Sequence, residues 1–273
     1  MAPAALRPLL AAALLLTVPA VAVPQQVGDV PYVPTPEPVV DAMLDLAGVE
    51  EGDVVLDLGS GDGRIVVAAA RDYGARAMGV DLNPKRIAEA RDNAREAGVA
   101  DRVRFERGDL FDADLSRADV LTLYLLPEVN LRLRPAILER MRPGARIVSH
   151  DFDMGEWSPD RTVTVPGDGS AVHLWIVPAR VEGAWRLEAG DGGGPWRVDI
   201  SQEFQRLEAT ASRDGDTVAL RDGVVRGEAV TFTWPDGRRF LGQLDGEAGA
   251  MAGVSQTATL DESSDWRAVR DGS

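Results

Sequence analysis

The seven residues Asp57-Leu58-Gly59-Ser60-Gly61-Asp62-Gly63 restrict what this chain can fold into more than any other stretch of it. Val54-Val55-Leu56 and Leu58 read as a short buried strand, and a run of alternate glycines follows at once. Behind the turn, Ile65-Val66-Val67-Ala68-Ala69-Ala70 reads as the start of a buried helix. Strand, tight turn and helix in this order need glycine at the turn. A Cβ there would block positive φ and hold a ligand away from the backbone. The helix start leaves free N–H groups facing the same place.

Two further acids fall where a nucleotide-binding α/β fold needs them. Ala77-Met78-Gly79-Val80-Asp81 is a second short apolar strand ending in a carboxylate, which can accept hydrogen bonds from both hydroxyls of a ribose. A third strand, from Val103, ends in Gly108-Asp109-Leu110, and its acid suits an adenine amino group. A dinucleotide fingerprint reads Gly-x-Gly-x-x-Gly, whereas Gly63 comes one residue early for it. The glycine turn with Asp57, Asp81 and Asp109 in register resembles the class I S-adenosylmethionine-dependent methyltransferases. The resemblance implies an α/β, Rossmann-like sheet with helices on both faces, and S-adenosyl-L-methionine as cofactor.

The rest of the chain fits that frame up to about residue 179. Strands are expected near 54–58, 76–81, 102–106, 118–123 and 145–150, alternating with helices at 63–72, 84–97 and 128–140. Such alternation predicts a parallel sheet. Thr35-Pro36-Glu37 offers an N-cap, a first-turn proline and an early acid, and Val39, Met43, Leu46 and Ala47 follow at helical spacing. After Asp151 no long helix is expected, and Arg161–Val165 with Ala171–Val177 read as a closing antiparallel hairpin. Residues 23–179 therefore read as the cofactor-binding domain and 180–273 as a small antiparallel all-β domain. In the latter, Thr217–Leu220, Ala229–Trp234 and Arg239–Leu244 are expected strands, the aromatics are core, and the polar stretch from Ser255 is loosely ordered.

The N-terminus carries an address. Arg7 precedes an apolar run from Leu9 to Val18, too short for a comfortable membrane span, and Ala20-Val21-Ala22 offers small residues for cleavage. Residues 1–22 read as a signal peptide, which predicts a periplasmic or secreted enzyme; an uncleaved anchor near the membrane, or a cytoplasmic protein, are the alternatives. Without cysteine there is neither disulfide nor lipid attachment. A net charge of −15 argues against nucleic acid as partner, because phosphate binding needs clustered cations. It is compatible with a basic protein substrate. Sequence gives no oligomeric state.

The resemblance narrows further. Pro31-Tyr32-Val33-Pro34-Thr35-Pro36, the glycine turn continued by Arg64-Ile65, and Asp81-Leu82-Asn83-Pro84 are together similar to two related groups. These are the archaeal broad-specificity protein lysine methyltransferases and the mitochondrial enzymes that methylate lysine on the c-ring protein of ATP synthase. The similarity covers residues 29–165 and implies a protein substrate presenting lysine. It implies that Asp57 and the backbone of Gly59, Gly61 and Gly63, with Ser60, hold the methionine portion. Asp81, with Leu82, would hold the ribose, and Asp109 and Leu110 would frame the adenine. Thr35 either touches the cofactor carboxylate or simply caps a helix; Arg64 either pairs with a nearby acid or is an ordinary first-turn residue.

Methyl transfer asks the protein to align a lone pair with the methyl carbon, exclude water and take a proton from the ammonium. The candidates follow the fourth strand in Tyr124-Leu125-Leu126-Pro127-Glu128, at the carboxyl edge of the sheet. Tyr124 lines the acceptor channel or packs in the core; Glu128 assists the proton or complements the helix dipole. His150-Asp151-Phe152-Asp153 shapes the acceptor pocket or holds a locally satisfied histidine, and no metal is expected there. A small-molecule methyltransferase, and an exported nucleoside-binding protein without activity, remain the other readings.

Overall fold

The computed structural model describes residues 32–189, 194–246 and 249–271. The signal peptide expected at 1–22 and Pro31 of the similar motif lie outside these residues. The first helix, α1 (Glu37–Ala47), follows Pro36 and buries Val39, Val40, Met43, Leu44 and Ala47 on one side. Gly48 ends it in the left-handed conformation, its N–H bonded to Asp45 O.

Strands and helices then alternate: β1 (Val54–Leu58), α2 (Arg64–Asp72), β2 (Arg76–Asp81), α3 (Pro84–Glu96), β3 (Val103–Arg107), β4 (Val120–Leu123), α4 (Pro127–Arg140) and β5 (Arg146–His150). The hairpin β6 (Arg161–Thr164) and β7 (Ala171–Ile176) completes the sheet, whose order is β3-β2-β1-β4-β5-β7-β6. Neighbours among β1–β5 run parallel, and β7 is antiparallel to both β5 and β6. The chain walks outward from β1 to β3 and then returns to β4 on the other side. Loops diverge at that reversal and leave a crevice beyond the carboxyl ends of β1 and β4.

Alternation along the strands sorts two cores. Val55, Val120, Val148 and Val172 pack with α1, α2 and α3, whereas Leu56, Leu58, Leu121, Leu123 and Ile147 pack with α4. No helix lies between β5 and β6. Trp157 and Trp175 are fully buried on the α4 side instead, and the Trp175 indole N–H donates to Trp157 O at 2.6 Å.

The second half is a closed antiparallel barrel rather than an open meander. Its strands are β8 (Gly183–Ala189), β9 (Trp196–Glu203), β10 (Arg206–Arg213), β11 (Asp216–Arg226), β12 (Ala229–Thr233), β13 (Arg239–Asp245), β14 (Ala250–Gln256) and β15 (Ser263–Arg270). Each pairs with the next, and β15 returns to β8 with Trp266 opposite Ala189. This corrects the expectation of a loosely ordered stretch after Ser255, whose Ser263–Arg270 segment is a wall of the barrel. Trp266 and Ala268 are buried there, and closure removes the exposed edges that an open meander would keep. Trp185, Phe232, Phe240 and Trp266 form the barrel core, as expected of its aromatics.

Phe204 is the exception among these aromatics. It sits in the β9–β10 turn at φ 52° and stacks on Trp157 of the β5–β6 connection, with centroids 6.0 Å apart. The Gln205 side-chain amide donates to Ser158 O at 2.7 Å, and Arg226 Nε donates to Asp160 Oδ1 at 2.9 Å. The barrel thus covers the side of the sheet where no helix follows β5.

Candidate functional site

The glycine loop is tied to β2 by its own backbone. Gly59 and Ser60 both donate their N–H to Val80 O, at 2.8 and 3.0 Å. Gly61 donates to Asp81 Oδ2 at 2.9 Å. All three glycines of the turn have positive φ: 78° at Gly59, 52° at Gly61 and 79° at Gly63. Gly63 also opens α2, and a Cβ added to it would lie 2.6 Å from Phe105 Cζ.

Reading the glycine turn alone misses a fourth glycine. Gly79, in the middle of β2, lies against Ser60, so that a Cβ on it would sit 2.6 Å from Ser60 Oγ. A glycine inside a strand pattern marks just such a close approach, so the sequence does carry a signal for it. Ser60 Oγ itself is buried without a hydrogen-bond partner.

Asp57 ends up almost fully enclosed, at 3% exposure, with the Thr122 hydroxyl donating to its Oδ1 at 2.7 Å. Burial pushes its carboxyl up to about 7; the Thr122 bond opposes that rise, and the nearby Asp81 and Asp62 add to it. A carboxyl so placed favours a cation beside it. Arg64 does pair with an acid, Asp62, at 2.7 Å, and its Nη1 donates to Thr35 O at 2.9 Å.

The other two acids stand on the neighbouring strand ends. Asp81 accepts from Asn83 N at 2.7 Å on Oδ1 as well as from Gly61 on Oδ2, and each oxygen keeps a second lone pair for a ligand hydroxyl. Leu82 beside it is exposed. Asp109 is exposed past the end of β3 and caps the single 3-10 turn Leu110–Asp112 through Phe111 N, at 3.0 Å. Gly108 N donates to Asp81 O at 3.1 Å, which draws these two strand ends together.

Thr35 is not a cap. Pro36 occupies the cap position of α1 with no side-chain hydrogen bond, and the buried Thr35 hydroxyl lies 3.4 Å from His150 Nδ1. The capping alternative fails because the chain enters the helix one residue later than the Thr-Pro-Glu pattern suggests.

On the β4 and β5 side, the Tyr124 ring stacks on His150 with centroids 3.9 Å apart, and Phe152 lies 6.0 Å away. Tyr124 is half-buried; burial, and then Asp151 and Asp168, raise its hydroxyl above the usual phenol value. His150 is 2% exposed, and burial lowers it against the pull of Asp151 and Asp168, so the imidazole is neutral at neutral pH. Its Nε2 lies 3.4 Å from Asp151 Oδ2 but makes no hydrogen bond. Asn130 of α4, fully buried, donates to Phe152 O at 3.2 Å and fixes the loop after β5. Neither Asn130 nor the depth of His150 carries a local sequence signal.

Glu128 is exposed in the first turn of α4 and has no hydrogen bond or ion pair among the described residues. Among the described residues no three His, Cys, Asp or Glu side chains group into a metal site.

Comparison with known proteins agrees with this geometry. The ANTKMT methyltransferase domain family matches residues 57–161. The chain is 45% identical to a protein-lysine N-methyltransferase of Saccharolobus islandicus, over 54% of its own length and 94% of that protein. It is 33% identical to the mouse (Mus musculus) lysine N-methyltransferase named for the c-ring protein of ATP synthase, over 67% of its length and 70% of the relative. A solved Salinibacter ruber protein, named an RNA methyltransferase and bound to S-adenosyl-L-homocysteine, shares 58% identity at a TM-score of 0.53. That match covers 55% of this chain and 96% of the other. A buried carboxyl at Asp57, a glycine loop held at positive φ and the Asp81 carboxylate at the end of β2 form a cradle that could hold the same ligand. The chain belongs to the S-adenosylmethionine-dependent protein-lysine methyltransferase family.

Proposed function

We propose that this enzyme methylates the side-chain amine of lysine on a protein substrate. The observation that carries the reading is the Tyr124–His150 stack, set at the ends of β4 and β5 beside the glycine turn that follows β1. An aromatic wall there suits an alkylammonium chain, which packs its methylenes against rings and is attracted to their faces.

S-adenosylmethionine supplies a methyl group on a sulfonium that is already activated. The chain's own residues bind and orient. Asp57 receives the ammonium of the amino-acid end, with the backbone of Gly59, Gly61 and Gly63 and the Ser60 side of the loop around it. Asp81 and Leu82 hold the ribose, and Asp109 and Leu110 border the adenine. The Arg64 bond to the Thr35 carbonyl and the place of its hydroxyl by His150 support a contact of Thr35 with the cofactor carboxylate. The Tyr124 phenol stays protonated at neutral pH, so it orients the amine nitrogen through Oη rather than acting as the base. The ammonium proton leaves toward carboxylate and water at the open side of the stack. Glu128 serves the start of α4.

The name of the Salinibacter ruber protein favours a second reading, RNA as acceptor. A net charge of −15 and two carboxylates beside Tyr124 oppose a phosphate backbone there. The N-terminal pattern of Arg7, Leu9–Val18 and Ala20-Val21-Ala22 supports export of the enzyme, and sequencing of the mature N-terminus checks for a start at Val23.

Calorimetric titration of the protein with S-adenosylhomocysteine is expected to show micromolar binding. Asp81→Ala should weaken it by about 1–3 kcal/mol, through loss of the hydroxyl bonds and of the Gly61 anchor. Labelled methyl should pass from S-adenosylmethionine to lysine-rich proteins and not to total RNA. Label in the RNA alone would reverse the choice of acceptor, and unchanged affinity in the variant would remove Asp81 from the site.

A further inference from the structure

The β6–β7 hairpin reaches the acceptor side of the site and brings a second carboxylate with it. Its tip is a tight turn in which Val165 N donates to Ser170 O at 2.8 Å and Gly169 N donates to Val165 O at 3.0 Å. Asp168 stands exposed in that turn and accepts from Ser170 N at 3.1 Å. The base of the turn is tied to the loop after β5. Asp151 N donates to Ala171 O, and Ala171 N donates back to Asp151 Oδ1, both at 2.8 Å.

Asp151 is held in the left-handed region at φ 60°, where an aspartate is tolerated but not relaxed. One of its oxygens faces the hairpin and the other faces His150 Nε2, 3.4 Å away. That nitrogen belongs to a ring only 2% exposed and has no hydrogen-bond partner. A buried, unpartnered polar atom pointed at a carboxylate marks a place where the polar contacts await a ligand.

We propose that Asp151 and Asp168 form an anionic rim around the Tyr124–His150 stack that selects a positively charged acceptor segment, with the β6–β7 turn as the recognition element. The inference rests on the lysine reading and adds to it the residues that read the substrate. Both carboxylates raise Tyr124 and oppose the lowering of His150, so both charges named at the stack are negative. The Ser170 side-chain and backbone bonds hold Asp168 below the usual carboxylate range, so it carries its charge at neutral pH. A rim of this kind attracts a cationic segment and repels an acidic one.

The test uses the full chain loaded with S-adenosylhomocysteine, so that binding is read without turnover. The probes are two fluorescent peptides with a central lysine, one flanked by arginines and one by glutamates, measured by anisotropy. The parent should bind the arginine-flanked peptide and discriminate against the other. Asp168→Arg should weaken the first on the order of tenfold and strengthen the second, and Asp151→Asn should lose discrimination without reversing it. The same affinity for S-adenosylhomocysteine in all three proteins shows that the fold and cofactor site are intact. Equal peptide affinities in parent and Asp168→Arg overturn the rim, as does a parent that binds neither peptide. Charge-dependent binding with no methyl transferred once S-adenosylmethionine replaces the product leaves the rim standing and overturns the lysine reading.

Discussion

Gly63→Val should abolish cofactor binding and destabilise the protein by roughly 2–5 kcal/mol, the sum of a backbone cost and a packing cost. At φ 79° an L-residue is strained by about 1–2 kcal/mol, and a β-branched one by more. The new Cβ would lie 2.6 Å from Phe105 Cζ and 2.8 Å from Ala90 Cβ. Neither neighbour can withdraw, since Phe105 is 4% exposed and Ala90 fully buried, and overpacking of that sort costs about 1–3 kcal/mol. Relief comes only by moving the start of α2, which carries Gly59 and Gly61 away from Val80 and Asp81. Gly98→Ala is the control, because Gly98 has φ 71° with nothing within 4 Å of an added Cβ. It should cost only the backbone strain and leave titration with S-adenosylhomocysteine unchanged. Comparable melting losses and comparable binding in the two variants would mean that the Phe105 and Ala90 contacts do not hold the loop in place.

The legible parts of the molecule are those whose signal is local. The strands expected at 54–58 and 76–81 match β1 and β2 residue for residue, since apolar run, acid and glycine stand next to one another in the chain. The acids and glycines that resemble a cofactor site converge for the same reason, each at or just past the end of a strand in the parallel part of one sheet. The barrel was legible as antiparallel β, but its closure was not. β15 pairs with β8 across most of the domain, and the strand Ser263–Arg270 opens on three polar residues and buries only Trp266 and Ala268. Thr35 shows the opposite failure, a strong local capping pattern overridden by a hydroxyl drawn to His150. His150 acquires its meaning from Tyr124 on another strand and from Asp151 held at positive φ, and no spacing in the sequence encodes either.

Asp57→Asn should make the cofactor-free protein more stable at pH 8 while removing most of its affinity for S-adenosylhomocysteine. The Asp57 carboxyl ionises near 3.8 when exposed and at about 7 in the folded chain, chiefly because burial disfavours its charge. The native state therefore keeps a proton that the unfolded chain gives up as pH rises above 3.8. Stability falls through that window, and the loss is complete above about 7. At about 1.4 kcal/mol per unit, the cost above neutrality is on the order of 4 kcal/mol, and an amide of the same shape removes a large part of it. Thermal melts of parent and variant should thus coincide near pH 4 and separate by pH 8, with the variant higher. Binding runs the other way. A ligand ammonium needs the charged carboxylate, so parent affinity should climb about tenfold per pH unit below 7 and level off above it, with proton release at neutrality. The Asp57→Asn protein should show weak affinity that does not vary over that range. A parent with flat affinity below neutrality, or a variant no more stable at pH 8, would mean that Asp57 is already charged and satisfied without ligand. Otherwise the carboxyl is a group kept at the expense of the fold, because only the bound cofactor brings the cation that its burial lacks.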